Sequence, residues 1–432
     1  MSDLFADLWE DLLRCNKCGT CASVCPTYDV LRRETTSARG RVALIDAYLS
    51  GRLPATAELN DLLYTCLSCH ACAAACPNGV RPDKLVLATR AALAQQDGTS
   101  LARRAVFHGL LAHPGRLDAA LWPARLCEAL RALAERGGLV GHLPGRLGTY
   151  VGLLPDLPLR PAASQLPEVS PAAGPRRGRV GYFLGCAQNL LYADAARATV
   201  GLLNLAGFDV VTPRDLACCG MPAAVYGETA VARALARRNL AAFARMGCDA
   251  VVTDCASCGS FLKEYGRLLA DDAAWAAQAA AVAGRVADVS EFLAAQLPAA
   301  PGEGLGPLRV TYHDPCHLAH AQGVKRQPRA LLQSIPGLTL VEMRTPGACC
   351  GGAGSYTLTH PEVSLAILER RVREAAETEA TVVATGCPAC RMQLAYGLRR
   401  GKVAAEVRHP VELLAQAYGL GSSLAKRSIS SE

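Results

Sequence analysis

The spacing of apolar residues changes character near residue 179. Before that point apolar positions recur at helical spacing, most clearly in the stretch GRVALIDAYL from Gly40 to Leu49. Beyond it, short runs rich in β-branched residues alternate with helical stretches such as Glu228 to Met246, which is followed by Gly247. This alternation predicts α/β units with parallel strands. The chain is therefore predicted to be a multidomain α+β and α/β protein, with a mainly helical first part and an α/β second half.

The second half contains an internal duplication. The run VGYFLG leads to one cysteine and the run LRVTYHDP leads to another, and each copy then has an Ala-Cys-Cys-Gly sequence and a Cys-x-x-Cys pair. Equivalent cysteines are 130, 131 and 132 residues apart: Cys186 and Cys316, Cys218 and Cys349, Cys255 and Cys387. A repeat of this size predicts two similar α/β units, related by a pseudo-twofold axis.

Five segments follow from these patterns. They are a helical, cysteine-rich domain at 1–95, a helical connector at 96–178, two α/β repeats at 179–300 and 301–420, and a disordered tail at 421–432. In the connector, Leu126, Leu130 and Leu133 have helical spacing. Prolines, Pro123 among them, interrupt that pattern, and a Pro/Ala-rich linker leads to the first repeat.

The composition indicates a protein that folds without disulfide bonds. At 432 residues and 51% hydrophobic content, the chain can fill cores of ordinary size. No charged-then-apolar signal peptide opens it, so we expect a reducing, cytoplasmic setting in which its 20 cysteines are metal ligands. No apolar run of about 20 residues is present, so no membrane span is predicted.

The connector carries an excess of positive charge. Twelve arginines against six acidic residues lie between Arg90 and Arg179, which is +6 of the formal +7. We favour a solvated arginine-rich face; the alternatives are an acidic partner or peripheral contact with the inner face of the cell membrane. Binding to nucleic acid is not expected, because aromatic residues do not interleave the basic ones.

Two copies of a ferredoxin-type cysteine run lie in the first segment. Each has the form Cys-x-x-Cys-x-x-Cys-x-x-x-Cys-Pro. In two-cluster ferredoxins, three closely spaced thiolates hold one 4Fe-4S cubane and the fourth crosses to the other. We therefore predict two cubane clusters, one held by Cys15, Cys18, Cys21 and Cys76, and the other by Cys66, Cys69, Cys72 and Cys25. Zinc is the alternative, but it does not require the third Cys-x-x step or the final Cys-Pro.

Each α/β repeat offers five further cysteines. The first set is Cys186, Cys218, Cys219, Cys255 and Cys258, and the second is Cys316, Cys349, Cys350, Cys387 and Cys390. Adjacent cysteines rarely form a disulfide with each other, and five thiolates exceed what a cubane needs. They predict one or two further, non-cubane 4Fe-4S clusters; the alternative is an empty or structural site in one repeat. Gly220, Gly351 and Gly352 would allow close backbone approach to the metal.

Five other residues near these motifs have weaker signals. Cys127 and Cys248 fall outside every motif and are expected to be small buried apolar residues. His313, Asp314 and His317 flank Cys316. They either tune a cluster through hydrogen bonds or cap the end of a strand, and the sequence does not decide between the two.

Together these motifs resemble the iron-sulfur subunit family of bacterial glycolate oxidase. The likeness covers nearly the whole chain, through stretches such as RCNKCGTCASVCPTY, ARGRVALIDAYLSGRL, LYTCLSCHACAAACPNGVRPDKL, DPCHLAHAQG, CCGGAGSY and TGCPACRMQL. The iron-sulfur subunits of D-lactate and anaerobic glycerol-3-phosphate dehydrogenases are similar. The resemblance implies a ferredoxin-like domain followed by two cysteine-rich CCG domains. It also implies an electron-transfer subunit that receives electrons from FAD on a partner dehydrogenase subunit and passes them to a quinone or another carrier.

A second family resemblance supports a different function. In the catalytic subunit of heterodisulfide reductase, five-cysteine CCG motifs hold non-cubane clusters that cleave a disulfide. This chain has both complete sets of five cysteines, which favours disulfide cleavage. The stretches GVRPDKL and RGRVALIDAYLSGRL instead favour the glycolate and lactate branch. No catalytic grouping of Ser, His and Asp or of paired carboxylates is evident, so the oxidation of a substrate is expected to take place on a partner.

Overall fold

The computed structural model describes residues 8–98, 100–126, 152–153, 155–297 and 304–420. The predicted tail, Cys127, Leu130 and Leu133 lie outside these residues. Of the helices in the described part of the chain, none combines the length and the apolar character needed to cross a membrane.

Short helices separated by loops form the N-terminal domain. Pro26 and Pro82 open two of these helices, a position where the missing N–H is not needed. The helix predicted from Gly40 begins two residues earlier, after Ser37, whose hydroxyl accepts a hydrogen bond from the Gly40 N–H. The elements are α1 (Trp9–Arg14), α2 (Thr20–Ser23), α3 (Pro26–Leu31), a 3₁₀ turn (Glu34–Thr36), α4 (Ala38–Leu49), α5 (Ala57–Tyr64), α6 (Ala71–Ala74) and α7 (Pro82–Asp97).

Most of the connector between residues 100 and 126 is helical. It contains α8 (Leu101–Arg104), a π-helical stretch (Ala105–Leu111) and α9 (Pro114–Leu126). Pro123 lies inside α9, so the expectation that it interrupts the helix is wrong. The following linker contributes α10 (Ala162–Gln165) and β1 (Val169–Ser170), which pairs with the first sheet.

The first repeat is built on a five-stranded sheet. Its strand order is β1-β3-β2-β4-β5; β1 is antiparallel to β3, and the other pairs are parallel. The strands after β1 are β2 (Gly178–Tyr182), β3 (Phe208–Val211), β4 (Ala250–Thr253) and β5 (Val286–Asp288). The helices are α11 (Cys186–Leu191), α12 (Ala193–Leu205), α13 (Met221–Val225), α14 (Thr229–Met246), α15 (Ala256–Lys263), α16 (Tyr265–Leu268), α17 (Ala276–Ala283) and α18 (Val289–Ala294).

The second repeat has the same strand order without an equivalent of β1 among the described residues. All pairs in its sheet, β7-β6-β8-β9, are parallel. The strands are β6 (Leu308–Tyr312), β7 (Leu338–Leu340), β8 (Val382–Ala384) and β9 (Glu406–Arg408). The helices are α19 (Cys316–Ala319), α20 (Arg326–Gln333), α21 (Tyr356–Thr359), α22 (Pro361–Glu377), α23 (Pro388–Arg400) and α24 (Pro410–Ala417).

One hydrophobic core joins the two repeats. It contains Val180 and Tyr182 of β2, Val310 and Tyr312 of β6, and residues of α12 and α24. Burial of this much apolar surface on both sides makes the repeats one packed unit. The duplicated α/β architecture and the helical N-terminal part agree with the predicted fold class, whereas the segment boundaries and the pseudo-twofold axis stay predictions.

Candidate metal centres

The first candidate centre, site A, consists of Cys15, Cys18, Cys21 and Cys76. These four residues line one cavity, together with Arg39. Burial raises the pKa of the Cys21 thiol, and the nearby Cys15 and Cys76 sulfurs raise it further. Cys18 is exposed, and its Sγ lies 3.4 Å from the hydroxyl of Thr20, which lowers the pKa of the thiol. Site A therefore lies at the protein surface.

The second candidate centre, site B, consists of Cys25, Cys66, Cys69 and Cys72. These residues line a separate cavity. Site B is less open to solvent than site A, since Cys25 and Cys69 are buried. Each cavity is therefore lined by three cysteines from one ferredoxin run and the last cysteine of the other, and the assignment of a cluster to each set stays a prediction.

Both cysteine loops use the same unusual backbone. Lys17 and Gly19 in the first run, and Ser68 and His70 in the second, have positive φ angles of 59°, 91°, 51° and 60°. For residues other than glycine, this left-handed conformation costs about 1–2 kcal/mol. In this conformation the loop directs three successive thiols toward one cavity, and the N–H of Ser68 lies 3.4 Å from the Sγ of Cys66.

Two fully buried arginines stand beside site B. Nη1 of Arg41 lies 4.0 Å from the Sγ of Cys25, and Nη2 of Arg41 donates to the hydroxyls of Thr27 and Thr65. Arg90 donates to the carbonyls of Leu63, Cys66 and Val225. Guanidinium groups in a low-dielectric interior favour negative charge nearby, so they suit an anionic group held by the cysteines of site B.

The third candidate centre, site C, consists of the five cysteines of the second repeat, all of them buried. The Sγ atoms of Cys350 and Cys390 lie 3.4 Å apart, and the N–H of Gly351 reaches the Sγ of Cys349 at 3.4 Å. A hydrogen bond with Cys349, and then burial, raise the pKa of the Cys316 thiol well above its usual range. Gly351 has a φ of 83°, which a side chain would strain. The members of site C are Cys316, Cys349, Cys350, Cys387 and Cys390.

The fourth candidate centre, site D, consists of the five cysteines of the first repeat. The thiols of Cys186, Cys218, Cys219 and Cys258 interact with one another, so that the pKa of Cys186 is raised and that of Cys219 is lowered to about 5. Cys255 caps the N-terminus of α15, where its Sγ accepts from the N–H of Cys258 at 3.5 Å. The interaction with Cys258 lowers the pKa of the Cys255 thiol, but the neighbouring Cys387 and burial outweigh it and hold that pKa well above its usual range.

The four sites lie in a row. Cys76 and Cys25 cross between sites A and B, and Cys69 of site B packs in one hydrophobic cluster with Cys349 of site C, which raises the pKa of the Cys69 thiol. Ser257, which lies between Cys255 and Cys258 of site D, has its hydroxyl 3.5 Å from the Sγ of Cys387 of site C. Site B and site C also share one hydrophobic cluster. The order along the row is therefore A, B, C, D, and site C has a neighbour on each side.

The residues present fit iron-sulfur clusters. All nineteen described cysteines are free thiols, although many lie in contact with one another inside the protein. Burial and mutual repulsion raise the pKa of most of these thiols, so a cationic group is needed to hold them as thiolates. In addition, His313 is buried beside site C, and in the part of the chain that the structure describes neither of its ring nitrogens has a hydrogen-bond partner. Unpaired buried polar atoms of this kind indicate that a bound group belongs there.

Other predictions about single residues had mixed outcomes. Cys248 is only half-buried, with its thiol 3.6 Å from the Met246 carbonyl. Asp314 does not face the sulfurs, because its carboxylate forms a two-pronged ion pair with Arg329 at 2.8 and 2.9 Å. His317 does face them, with Nδ1 3.4 Å from the Sγ of Cys316. The sequence analysis did not identify Arg41 and Arg90 as residues of the site. Their position inside otherwise apolar helical stretches could have indicated that they are buried.

Comparisons with protein families match most of the chain. Residues 11–80 match the 4Fe-4S dicluster domain, and residues 180–263 and 310–395 each match the cysteine-rich domain called CCG. Residues 98–154 match the linker region of the glycolate oxidase iron-sulfur subunit. The connector therefore carries family-specific sequence, and the two repeats are copies of one domain type.

Three relatives show similarity along almost the whole chain. A Bacillus subtilis (strain 168) protein named "Probable glycolate oxidase iron-sulfur subunit" is 36% identical over 95% of this chain and 94% of its own. The glycolate oxidase iron-sulfur subunit of Escherichia coli (strain K12) is 31% identical over 94% of this chain and 95% of its own.

The third relative is a fumarate reductase (CoM/CoB) subunit from Methanothermobacter marburgensis, which is 29% identical over 95% of this chain and 73% of its own. Relatives with these names are subunits of oxidoreductases. With the 4Fe-4S dicluster domain and the two cysteine-rich domains in place, the chain belongs to the glycolate oxidase iron-sulfur subunit family and is an iron-sulfur electron-transfer subunit of an oxidoreductase.

Proposed function

We propose that this chain is the electron-relay subunit of a flavin-dependent 2-hydroxyacid dehydrogenase that oxidises glycolate or D-lactate. It takes electrons from FAD on a partner subunit and delivers them to a quinone or another carrier. The observation that carries the proposal is the row of four cysteine sites, in which each site lies beside the next. The full-length similarity to two glycolate oxidase iron-sulfur subunits supports it.

We assign one cluster to each site. Sites A and B have four thiols each and suit 4Fe-4S cubanes, and sites C and D have five each and suit non-cubane 4Fe-4S clusters. When bound, these clusters supply reversible one-electron transfer. Oxidation of a 2-hydroxyacid to the 2-oxoacid releases two electrons and two protons, which a flavin collects as a pair, so a one-electron relay is the component that a flavin subunit needs.

The chain's own residues set the conditions along the row. Arg41 and Arg90 place positive charge beside site B, which favours its reduced state relative to site A. Site A has an exposed cysteine, Cys18, and is the place where a soluble or membrane-bound carrier can approach. Site C, whose five cysteines are all buried, and site B, where Cys25 and Cys69 are buried, are less accessible to water and oxidants than site A.

A docking surface for a partner is available on the connector. Leu101, Val106 and Trp122 are exposed apolar residues there, among the arginines that the sequence singles out. Apolar and basic groups together suit an acidic protein surface or an anionic membrane face. We propose the connector as the contact with the flavin subunit or with the inner membrane face.

The test is substrate-driven reduction in the reconstituted complex. The chain is co-expressed with a hydroxyacid-oxidising flavoprotein encoded beside it, and the complex receives glycolate or D-lactate without oxygen. We expect EPR signals of reduced clusters and reduction of a quinone analogue. Persistent flavin reduction with oxidised clusters would contradict the proposal. C66S, which removes a thiol from site B, is the control, because it should stop the flow while leaving flavin reduction intact.

A second candidate function is thiol-disulfide chemistry at sites C and D. It is favoured by the complete five-cysteine sets and by the closeness of the two sites, since the Ser257 hydroxyl of site D lies 3.5 Å from the Sγ of Cys387. The similarity to a fumarate reductase (CoM/CoB) subunit extends along the same length of this chain. Cleavage of a disulfide consumes two electrons and two protons and gives two thiols. This second function would be established by a disulfide that oxidises the reduced chain and yields one free thiol for each electron taken from it.

A further inference from the structure

The two repeats differ at the strand end that precedes the first cysteine of each set. The first repeat has Phe183 three residues before Cys186, and the second has His313 three residues before Cys316. Both side chains are fully buried. Phe183 belongs to a hydrophobic cluster that includes the cysteines of site D, whereas His313 puts a polar ring at the same place beside site C. The first repeat shows that the fold itself needs only an apolar ring here.

His313 is placed to bind a metal. One of its ring nitrogens lies within 4.8 Å of the Sγ atoms of Cys350 and Cys390, and those three atoms are all within that distance of one another. Neither ring nitrogen has a hydrogen-bond partner among the described residues. Leaving a buried polar atom unpaired is destabilising, so an imidazole in this position favours a bound group that compensates it.

Other buried histidines in the described residues have protein partners. Nδ1 of His70 pairs with the carboxylate of Asp83 at 2.7 Å. The two nitrogens of His409 meet the Asp254 carbonyl at 3.0 Å and the Val411 N–H at 3.2 Å. His317, which is only half-buried, has Nδ1 3.4 Å from the Sγ of Cys316. His313 thus differs from them in having both nitrogens unpaired.

The environment keeps His313 neutral. Burial, and then the charge of Arg371, lower the pKa of its imidazole to about 4. A neutral imidazole has a lone pair on one nitrogen, which is the form that ligates metals. Asp314, the nearest acidic residue in sequence, is engaged by Arg329 and does not pair with the ring.

We propose that His313 is a nitrogen ligand of the metal centre at site C, beside Cys350 and Cys390. Site C then has a mixed nitrogen and sulfur donor set, whereas site D, with Phe183 at the equivalent place, has thiolates alone. The proposal rests on the cluster that we assign to site C. Since imidazole is neutral and thiolate is negative, histidine ligation is a recognised way to make one iron-sulfur centre differ in potential from another.

The test uses the full chain, purified without oxygen and with its clusters, from cells supplied with histidine that carries ¹⁵N in the ring. Pulsed EPR measures hyperfine coupling between site C and the labelled nitrogen. An anaerobic crystal structure with data at the iron edge locates the iron in any redox state. Two variants introduce the first repeat's residues at equivalent positions: H313F corresponds to Phe183, and H317A to Ala187.

We expect coupling to labelled nitrogen in the wild-type chain and in H317A, its complete loss in H313F, and iron at bonding distance from a His313 nitrogen. Coupling that persists in H313F, or iron at site C without contact to His313, would overturn the proposal. If H313F does not fold, the proposal is still tested by the nitrogen coupling in the labelled wild-type and H317A chains and by the iron positions in the crystal structure.

The cluster assignment and the histidine ligation fail in different ways. An iron content that is the same in the wild-type chain and in a C349S/C350S double variant would mean that site C holds no iron, which overturns the cluster and the ligation together. Iron that the double variant loses, combined with an absence of nitrogen coupling in the wild-type chain, would overturn the ligation alone.

Discussion

The two cysteine-rich repeats share a scaffold and differ in their surroundings. Both have parallel strands in equivalent order and five cysteines at equivalent positions. Site C lies beside site B at Cys69 and beside site D at Cys255. Among the described residues, site D has site C as its one neighbouring site. The second repeat also has His313 and His317 where the first has Phe183 and Ala187. The duplication produced two similar sites, and of these two it is site C that lies between two other cysteine sites.

The largest expected effect separates the two repeats directly. C350S and C219S change equivalent cysteines, and each should remove about four irons per chain, because each breaks one five-thiol set. C350S should also change the EPR line shape of site B, since the two sites are in contact, and it should stop electron flow along the row. C219S should leave site B unchanged. Iron analysis and EPR of the reduced chains test this, and an unchanged site B in C350S would break the comparison.

A second prediction concerns the crossed arrangement of sites A and B. C76S should disturb site A, whose other cysteines are Cys15, Cys18 and Cys21, and should reduce the iron content by up to about four atoms. The matched change C25S should affect site B. EPR after partial reduction distinguishes the two signals. The crossed assignment is wrong if C76S alters the signal of site B alone.

The third prediction uses the charges near sites A and B. R41Q removes a buried guanidinium 4.0 Å from the Sγ of Cys25 and should make site B harder to reduce. Two unit charges at that distance interact by about 4 kcal/mol at an effective dielectric constant of 20, which is an upper bound for the change. R39Q, beside the exposed site A, should have a much smaller effect because solvent screens it. Redox titration followed by EPR measures both, and equal shifts would contradict the difference in burial.

The smallest expected effect is on stability. Gly351 and Gly220 have φ angles of 83° and 98°, so alanine at either position should destabilise the fold by about 1–2 kcal/mol through backbone strain. G351A should be the worse of the two, because its Cβ would lie 2.6 Å from the Ser364 carbonyl oxygen. At Gly220 the nearest atom belongs to the Phe261 ring, at 3.0 Å. Thermal unfolding of the two variants, kept anaerobic and at equal iron content, shows which of them is less stable.

Local patterns made much of the fold predictable from the sequence. The runs before Cys186 and Cys316 become β2 and β6, and the helix predicted up to Met246 ends there, with Gly247 in a left-handed conformation. The strand β1 could not be predicted, since two residues in a proline-rich linker have no periodicity. Its pairing with β3 depends on a long-range contact.

The candidate sites were predictable in membership but not in arrangement. Cysteine spacing groups the thiols within each motif, because a short loop determines which sulfurs can meet. The contact between Cys69 and Cys349 depends on how the N-terminal domain packs on the second repeat, which no local pattern encodes. The difference between Phe183 and His313 is visible in the aligned repeats, but the unpaired nitrogens of His313 appear only in the structure.

The central claim is that all four cysteine sites hold clusters in one row. Iron and acid-labile sulfide analysis of the anaerobically purified chain, together with EPR of its reduced form, tests it most directly. We predict about sixteen irons and sixteen sulfides per chain, with magnetic interaction between neighbouring centres. About eight irons, with cubane signals alone, would contradict it, because the two repeats would then be a scaffold that carries no electrons.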